Sequence, residues 1–377
     1  MIVGRICTRC TLDESIPNIR FDEKGVCHFC HSHDELMKHY VSDESVRAAQ
    51  RESLIARIKA RGKGNRYDCI VGLSGGTDST YTLYLTKKLG LRPLAVHFDD
   101  GWNSNTAVTN IRNATSKLDV DLETFVMDWD EMRGLHRAYF KASLPDPGVP
   151  SDVAIHGALY RIAVREKVKY ILGGQSFVTE GTQPRDWSYI DGTYVKSVNR
   201  RFGNQRLKYY PNATVYRIAY YVFVRGIKQV PFLNLFEYDK KKAQDILKAE
   251  VGWEYYGGHH FESIYSQFIN AWYDIRKFNI DRRKVTYSGP VRAGLMSREQ
   301  ALEELAVAAP ISEEMIEYCI SKLGFTQAEF AELMAQSPRS FRDFKTSYPV
   351  LRRCRHLIKL ISDWGIITPV LYKKYCS

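Results

Sequence analysis

No apolar run in this 377-residue chain approaches the length of a membrane span. The longest candidate, Ile218 to Val224, is short, ends at Arg225 and reads as core. The first residues, Met1-Ile2-Val3-Gly4-Arg5-Ile6-Cys7, lack the apolar centre of a signal peptide, so a cytoplasmic location is expected. Internal repeats and low-complexity segments are absent too. A phosphate-binding lysine is also missing. After the apolar run Cys69-Ile70-Val71-Gly72-Leu73 comes Ser74-Gly75-Gly76-Thr77-Asp78-Ser79, in which no Lys follows the second Gly. That rules out the loop G-x-x-x-x-G-K-[ST] of the P-loop enzymes.

What is present at that turn is a different anion cradle. Two glycines let the backbone approach an anion without a Cβ in the way. The amides of Gly75, Gly76 and Thr77, with the positive end of the following helix, would face phosphates. Ser74 and Ser79 add hydroxyl donors, and Asp78 can position a magnesium ion or a water. Net charge is +11, but the basic residues are scattered as Arg200-Arg201, Lys240-Lys241-Lys242, Arg282-Arg283-Lys284 and Arg352-Arg353. Such short groups read as solvated faces and suit any anionic partner. Hydrophobic content of 44% and aromatic content of 12% indicate an ordered globular chain long enough for two or three domains.

Four of the eight cysteines form Cys7-Thr8-Arg9-Cys10 and Cys27-His28-Phe29-Cys30, separated by sixteen residues. This is zinc-ribbon spacing. Two C-x-x-C knuckles complete a tetrahedron, and a four-thiolate shell is closed, so Zn²⁺ there would be structural. Metal binding would supply the folding energy of a segment too short to build its own core. His28, His31, His33 and His39 are left as surface or packing residues. Cys69, Cys319, Cys354 and Cys376 have no paired spacing.

Between these motifs the chain alternates. A charged helix over 34–63 leads to strands near 67–73, 93–99, 122–127 and 170–174. Helices intervene near 78–89, 106–117 and 152–166. Strands alternating with helices at this spacing predict an α/β fold with a doubly wound parallel sheet. Ligands in such sheets sit beyond the carboxyl ends of the strands. That rule joins the Ser74 loop to His97, Asp99 and Asp100 and to the turn Gly173-Gly174-Gln175-Ser176. The nucleotide contacts expected are Leu73, Ser74, Gly75, Gly76, Thr77, Asp78, Ser79, His97, Asp99, Gly173 and Gln175. The pattern weakens between 181 and 251, and from 296 short capped helices follow. Ser297–Gln300 and Thr326–Glu329 both fit the capping box. A second cluster, Gly257-Gly258-His259-His260-Phe261-Glu262-Ser263, reads either as an acid–base or substrate site, or as a glycine turn whose histidines cap a helix beginning near Glu262.

The loop matches the SGGxDS signature of the PP-loop ATP pyrophosphatases, which split ATP into AMP and pyrophosphate to activate an oxygen. Taken together, Cys7-x-x-Cys10, Cys27-x-x-Cys30, Ser74–Ser79, Gly257–Ser263 and the stretch 276–301 resemble the bacterial N-acetyl sugar amidotransferases of the WbpG and PseA type. His260, Glu262 and Ser263 fall on that family's pattern, as does Glu180-Gly181. His259 and the turn Gly173–Ser176 depart from it.

The resemblance implies a PP-loop (adenine nucleotide alpha hydrolase-like) domain over 46–295, a zinc ribbon over 1–45 and a C-terminal helical region over 296–377. It implies ATP, Mg²⁺ and structural Zn²⁺ held by Cys7, Cys10, Cys27 and Cys30. The implied reaction converts the acetamido group of a nucleotide-activated sugar to an acetamidino group, in O-antigen or flagellar glycan synthesis. Asp78, Glu180, His260 and Glu262 would carry the chemistry. Ammonia would come from a glutaminase partner resembling HisH and HisF of histidine biosynthesis, since no cysteine here sits in a glutaminase nucleophile motif. Neither a membrane nor a nucleic acid is an expected partner. Two other readings compete: a tRNA-modifying PP-loop enzyme (amination or thiolation), and a non-catalytic adaptor that keeps the fold.

Overall fold

The computed structural model describes residues 4–40, 43–180, 183–203, 205–258, 260–367, 372–373 and 375. Helices α1 (His28–Tyr40) and α2 (Glu44–Gly62) stand where one charged helix was expected. The alternating core then runs β1 (Cys69–Gly72), α3 (Thr77–Lys88), β2 (Pro93–Asp99), α4 (Asn105–Lys117), β3 (Leu122–Val126), α5 (Trp129–Lys141), α6 (Val149–Arg165) and β4 (Tyr170–Gly173). Pro150 lies in the first turn of α6, where its missing N–H leaves no bond unmade. Short helices α7 (Phe177–Glu180), α8 (Gly192–Val198) and α9 (Val215–Ala219) follow. Next come β5 (Lys228–Pro231), α10 (Lys240–Val251), α11 (Ile264–Phe268), α12 (Asp274–Phe278) and α13 (Arg283–Arg292). The chain continues through α14 (Arg298–Ala306), α15 (Glu313–Lys322), α16 (Gln327–Ala335), α17 (Tyr348–Arg353) and α18 (Arg355–Asp363).

The sheet order is β3-β2-β1-β4-β5, and every pair is parallel. The chain winds outward from β1 through β2 to β3, then crosses to β4 on the other side of β1. The switch point therefore lies between the carboxyl ends of β1 and β4, where ligands of such sheets bind. β5 is an edge strand that the weak pattern of 181–251 concealed: only four residues, one of them Pro, with no buried side chain.

Alternation along β1 splits its side chains between two cores. Cys69 and Val71 pack with Leu83 of α3, Ile111 of α4 and Leu54 and Ile58 of α2. Ile70 faces Leu159 and Ile162 of α6. The stretch 218–224, expected in the core, is only partly so: Ile218 packs against it, whereas Tyr220, Phe223 and Val224 are exposed on a π-helical turn. Only Tyr221 of that turn stacks inward, on Tyr160 at 4.9 Å between ring centroids.

A further aromatic core ties the C-terminal helices to the sheet. Trp102, from the loop after β2, is fully buried and stacks on Tyr265 at 4.9 Å. Phe140, Phe268, Tyr273, Cys319 and Phe330 complete this core, so α15 and α16 share it with α5 and α11. Truncating an aromatic of this kind costs about 3–5 kcal/mol. Thr326 and Glu329 form the reciprocal capping box at α16, whereas at α14 Ser297 caps the Gln300 amide.

Candidate active site and cysteine cluster

At the end of β1 the chain must turn sharply into α3, and Gly75 makes that turn at φ +81°. A Cβ there would lie 2.4 Å from the Ala107 carbonyl oxygen, so sterics and backbone both demand glycine. The Gly75 carbonyl accepts from Trp253 Nε1 at 2.9 Å and from Asn110 Nδ2 at 3.2 Å, which fixes the peptide plane. Across the loop the Ser74 and Ser79 hydroxyls meet at 3.1 Å, and Ser79 Oγ donates to the Gly76 carbonyl. The Thr77 amide, first of α3, points at the Tyr256 hydroxyl 3.3 Å away. Gly174, after β4, packs directly on the start of α3, because a Cβ on it would come within 2.6 Å of the Asp78 carbonyl carbon.

Charged groups converge on this turn. Asp78 accepts hydrogen bonds from the Tyr238 hydroxyl and, at 3.3 Å, from Lys240 Nζ. Burial, the largest influence, would lower the Lys240 pKa; the charge and hydrogen bond of Asp78, with Tyr256 and Glu180, together raise it above its ordinary value and keep the ammonium protonated. Glu180, at the end of α7, is pushed up to about 7 by burial and by the negative charge of Asp78. His260 sits in the left-handed region at φ +61°, a strained position for a non-glycine residue. Its Nδ1 meets Glu262 Oε1 at 3.2 Å. Burial works against the imidazolium, but the Glu262 hydrogen bond and charge raise His260 above its ordinary value. For Glu262 burial pushes upward, and the His260 bond and charge bring the carboxyl below its usual range. A Cβ on Gly76 would lie 3.2 Å from the Tyr256 hydroxyl and 3.4 Å from Glu262 Oε1. Glu262 Oε2 is buried without a hydrogen-bond partner among the described residues.

Thus the charge of Asp78 reaches Glu180, and Glu262, hydrogen-bonded to His260, lies beside the loop. His97 is buried, its Nδ1 3.0 Å from the Leu73 carbonyl, where it straps β2 to the loop. Asp99 spends Oδ1 on Gly101 N and Asn103 Nδ2, both at 2.9 Å, and so orders its own turn. Gln175 is exposed beside Gly173. Ser263, rather than a histidine, caps α11; His259 and Gly181 lie outside the described residues. Sequence reasoning missed Tyr238, Lys240, Gln244 and Tyr256. Gln244 donates to the Thr77 hydroxyl at 3.3 Å. Lys240 was visible only as part of a basic triplet, with no spacing to tie it to a loop 162 residues earlier.

Among the described residues Asp78, Glu180 and Glu262 do not by themselves form a metal-binding group, and both Asp78 oxygens already accept hydrogen bonds; a Mg²⁺ ion here would take most of its ligands from phosphate oxygens. The four cysteine sulfurs fit zinc. Their ligand atoms all lie within 4.8 Å of one another, with Cys27–Cys30, Cys10–Cys27 and Cys7–Cys30 at 3.6, 3.7 and 3.8 Å. A Zn–S distance of about 2.3 Å in a regular tetrahedron gives edges of about 3.8 Å. The buried Arg292 of α13 donates to Cys30 Sγ at 3.3 Å and to Cys10 Sγ at 3.4 Å. It offsets thiolate charge from outside the shell. Lys284 of α13 pairs with Asp13 at 2.6 Å, and Arg298 donates to the carbonyls of Cys7 and Cys10. The ribbon is thereby bolted to the C-terminal part of the chain.

Residues 262–357 match the family described as LPS biosynthesis protein WbpG-like, C-terminal domain. An uncharacterized protein of Methanocaldococcus jannaschii is 29% identical over 128 residues, covering 34% of this chain. The chain spans 43% of that relative's length. Among solved structures, a predicted subunit of tRNA methyltransferase from the same organism is 14% identical. It aligns with 48% of this chain and 73% of its own at a TM-score of 0.28.

Proposed function

We propose that this chain, which carries a WbpG-like C-terminal domain, is an ATP-dependent, AMP-forming amidotransferase. Its substrate would be an acetamido group on a nucleotide-activated sugar. One observation supports the reading: Glu262, in the first position of the WbpG-like segment, lies beside the glycine loop, its Oε1 3.4 Å from where a Cβ on Gly76 would stand. The segment that matches the sugar family and the loop that suits pyrophosphate thus share one site.

An amide oxygen is a poor leaving group, so it must first be activated. In this reading the acetamido oxygen attacks the α-phosphate of ATP and pyrophosphate departs. The loop amides of residues 75–77, the hydroxyls of Ser74 and Ser79 and the ammonium of Lys240 surround the leaving anion. Mg²⁺, when bound with ATP, would neutralise phosphate charge, and Asp78 is the side chain at the loop that would help hold it. Ammonia then adds to the activated carbon and AMP leaves with the former amide oxygen. His260, with its proton shared toward Glu262, is placed to move protons during that addition. Tyr256 and Tyr238 hold the Thr77 amide and the Asp78 carboxylate until ligand replaces them. Ammonia would be supplied from outside the chain.

The test supplies purified protein with ATP, Mg²⁺ and ammonium, together with a panel of diacetamido nucleotide sugars or bulk tRNA, followed by mass spectrometry. AMP formed only with a sugar, one acetamido oxygen being replaced by NH, is the expected result. AMP dependent on tRNA would move the chain to the modification enzymes, and no AMP with either would remove the proposal.

A further inference from the structure

The last described helices form a surface that the reaction does not use. Leu357 and Leu360 of α18 and its C-capping residue Trp364 recur at i, i+3 and i+7 and form one stripe. They are 58%, 43% and 68% exposed, whereas the opposite side of the helix buries Ser362. Cations flank the stripe. Arg352 and Arg353 end α17, and Arg355, His356 and Lys359 lie on α18. An open concavity of about 520 Å³ is lined by Tyr348, Pro349, Arg352, Arg353, Arg355 and His356. None of Arg352, Arg353, Arg355 and Lys359 forms an ion pair among the described residues. Arg355 Nε points at His356 Nε2, 3.3 Å away.

We infer that this face docks on an anionic phospholipid bilayer. A short helix with an outward Leu/Leu/Trp stripe and a cationic border is suited to the headgroup boundary: apolar side chains enter the acyl edge and the cations meet phosphates. Tryptophan favours that boundary, being apolar in its body and polar at its N–H. No helix among the described residues is long and apolar enough to cross a membrane, so the contact is peripheral. The lack of a spanning run in the sequence excludes a crossing, not a surface contact. A second copy is the poorer occupant, because a two-fold contact through this face would set the same cations against each other. The lining cavity suits phosphate groups, and the uncompensated arginines call for negative charge.

The test is vesicle flotation of the full chain. Vesicles of equal parts phosphatidylglycerol and phosphatidylcholine are compared with pure phosphatidylcholine, at low and high salt. The chain should float with the anionic vesicles alone, and salt should weaken binding. Each cation near the surface contributes about fivefold, so Arg352→Glu with Arg353→Glu should reduce binding by about twenty-five-fold or more. Leu357→Glu with Trp364→Glu should abolish it, with zinc content and circular dichroism unchanged. Wild-type protein that fails to float on anionic vesicles overturns the inference, as does flotation that neither variant alters. A dimer in light scattering that Leu357→Glu dissolves, without vesicle binding, would assign the face to a second copy instead. Equal binding to polyglutamate, insensitive to the apolar variant, would assign it to an acidic protein.

Discussion

Replacing Glu180 by Gln should make the protein more stable at pH 8 and less active. The carboxyl is held at about 7 against an ordinary value of 4.5, by burial first and the Asp78 charge second. A displacement of that size corresponds to about 3 kcal/mol of differential interaction between the two protonation states. Glu180 is only partly buried by its own surface, and solvent screening reduces the figure to about 1–2 kcal/mol. The folded state binds the proton more tightly than the unfolded chain. The penalty is therefore absent below about pH 4.5 and complete once pH has risen through about 7. Urea unfolding of wild type and Glu180→Gln, both zinc-loaded and free of Mg²⁺ and nucleotide, measures it. The variant should gain about 1–2 kcal/mol at pH 8, and clearly less at pH 5.5. Stability curves that run parallel from pH 5.5 to 8 would refute the reasoning, because the Glu180 proton would then be uncoupled from the fold.

Three other substitutions probe the site. Gly75→Ala meets the Ala107 carbonyl and a left-handed backbone together; ATP binding by calorimetry should be lost, and unchanged affinity would show that the loop does not hold phosphates. Lys240→Met removes a charged hydrogen-bond donor worth about 1.5–3 kcal/mol, so affinity for inorganic pyrophosphate should fall roughly tenfold to a hundredfold, against no change if Lys240 merely pairs with Asp78. Cys27→Ser opens the four-sulfur shell; metal analysis should show zinc falling from one per chain to none, with residues 4–40 becoming protease-sensitive. A variant that retains full zinc would remove the ribbon assignment.

The most legible parts of this protein were those whose chemistry is written in short covalent spacing. A C-x-x-C knuckle brings two sulfurs together wherever it is folded, and Cys7, Cys10, Cys27 and Cys30 converge as their spacing implied. The serine-glycine loop likewise carries its own amides and hydroxyls, and the strand–helix alternation placed it at the end of β1. The strands near 67–73, 93–99 and 170–174 were readable as buried apolar runs, and the unburied edge strand near 122–127 was readable from its place in the strand–helix alternation and its five-residue length. β5 was not, being short, edge-placed and unburied. Ile218–Val224 misled because an apolar run does not state which neighbour will cover it.

What only the tertiary structure decided is who faces the loop. Tyr238, Lys240 and Tyr256 come from 160 to 179 residues away to meet Asp78 and Thr77. Arg292 crosses 262 residues to reach Cys30. No local periodicity records such meetings. They follow from the way β4 crosses back beside β1 and the later helices pack over that switch point. A side chain's partners there are set by packing of the whole chain, whereas a motif's geometry is set by its own few bonds.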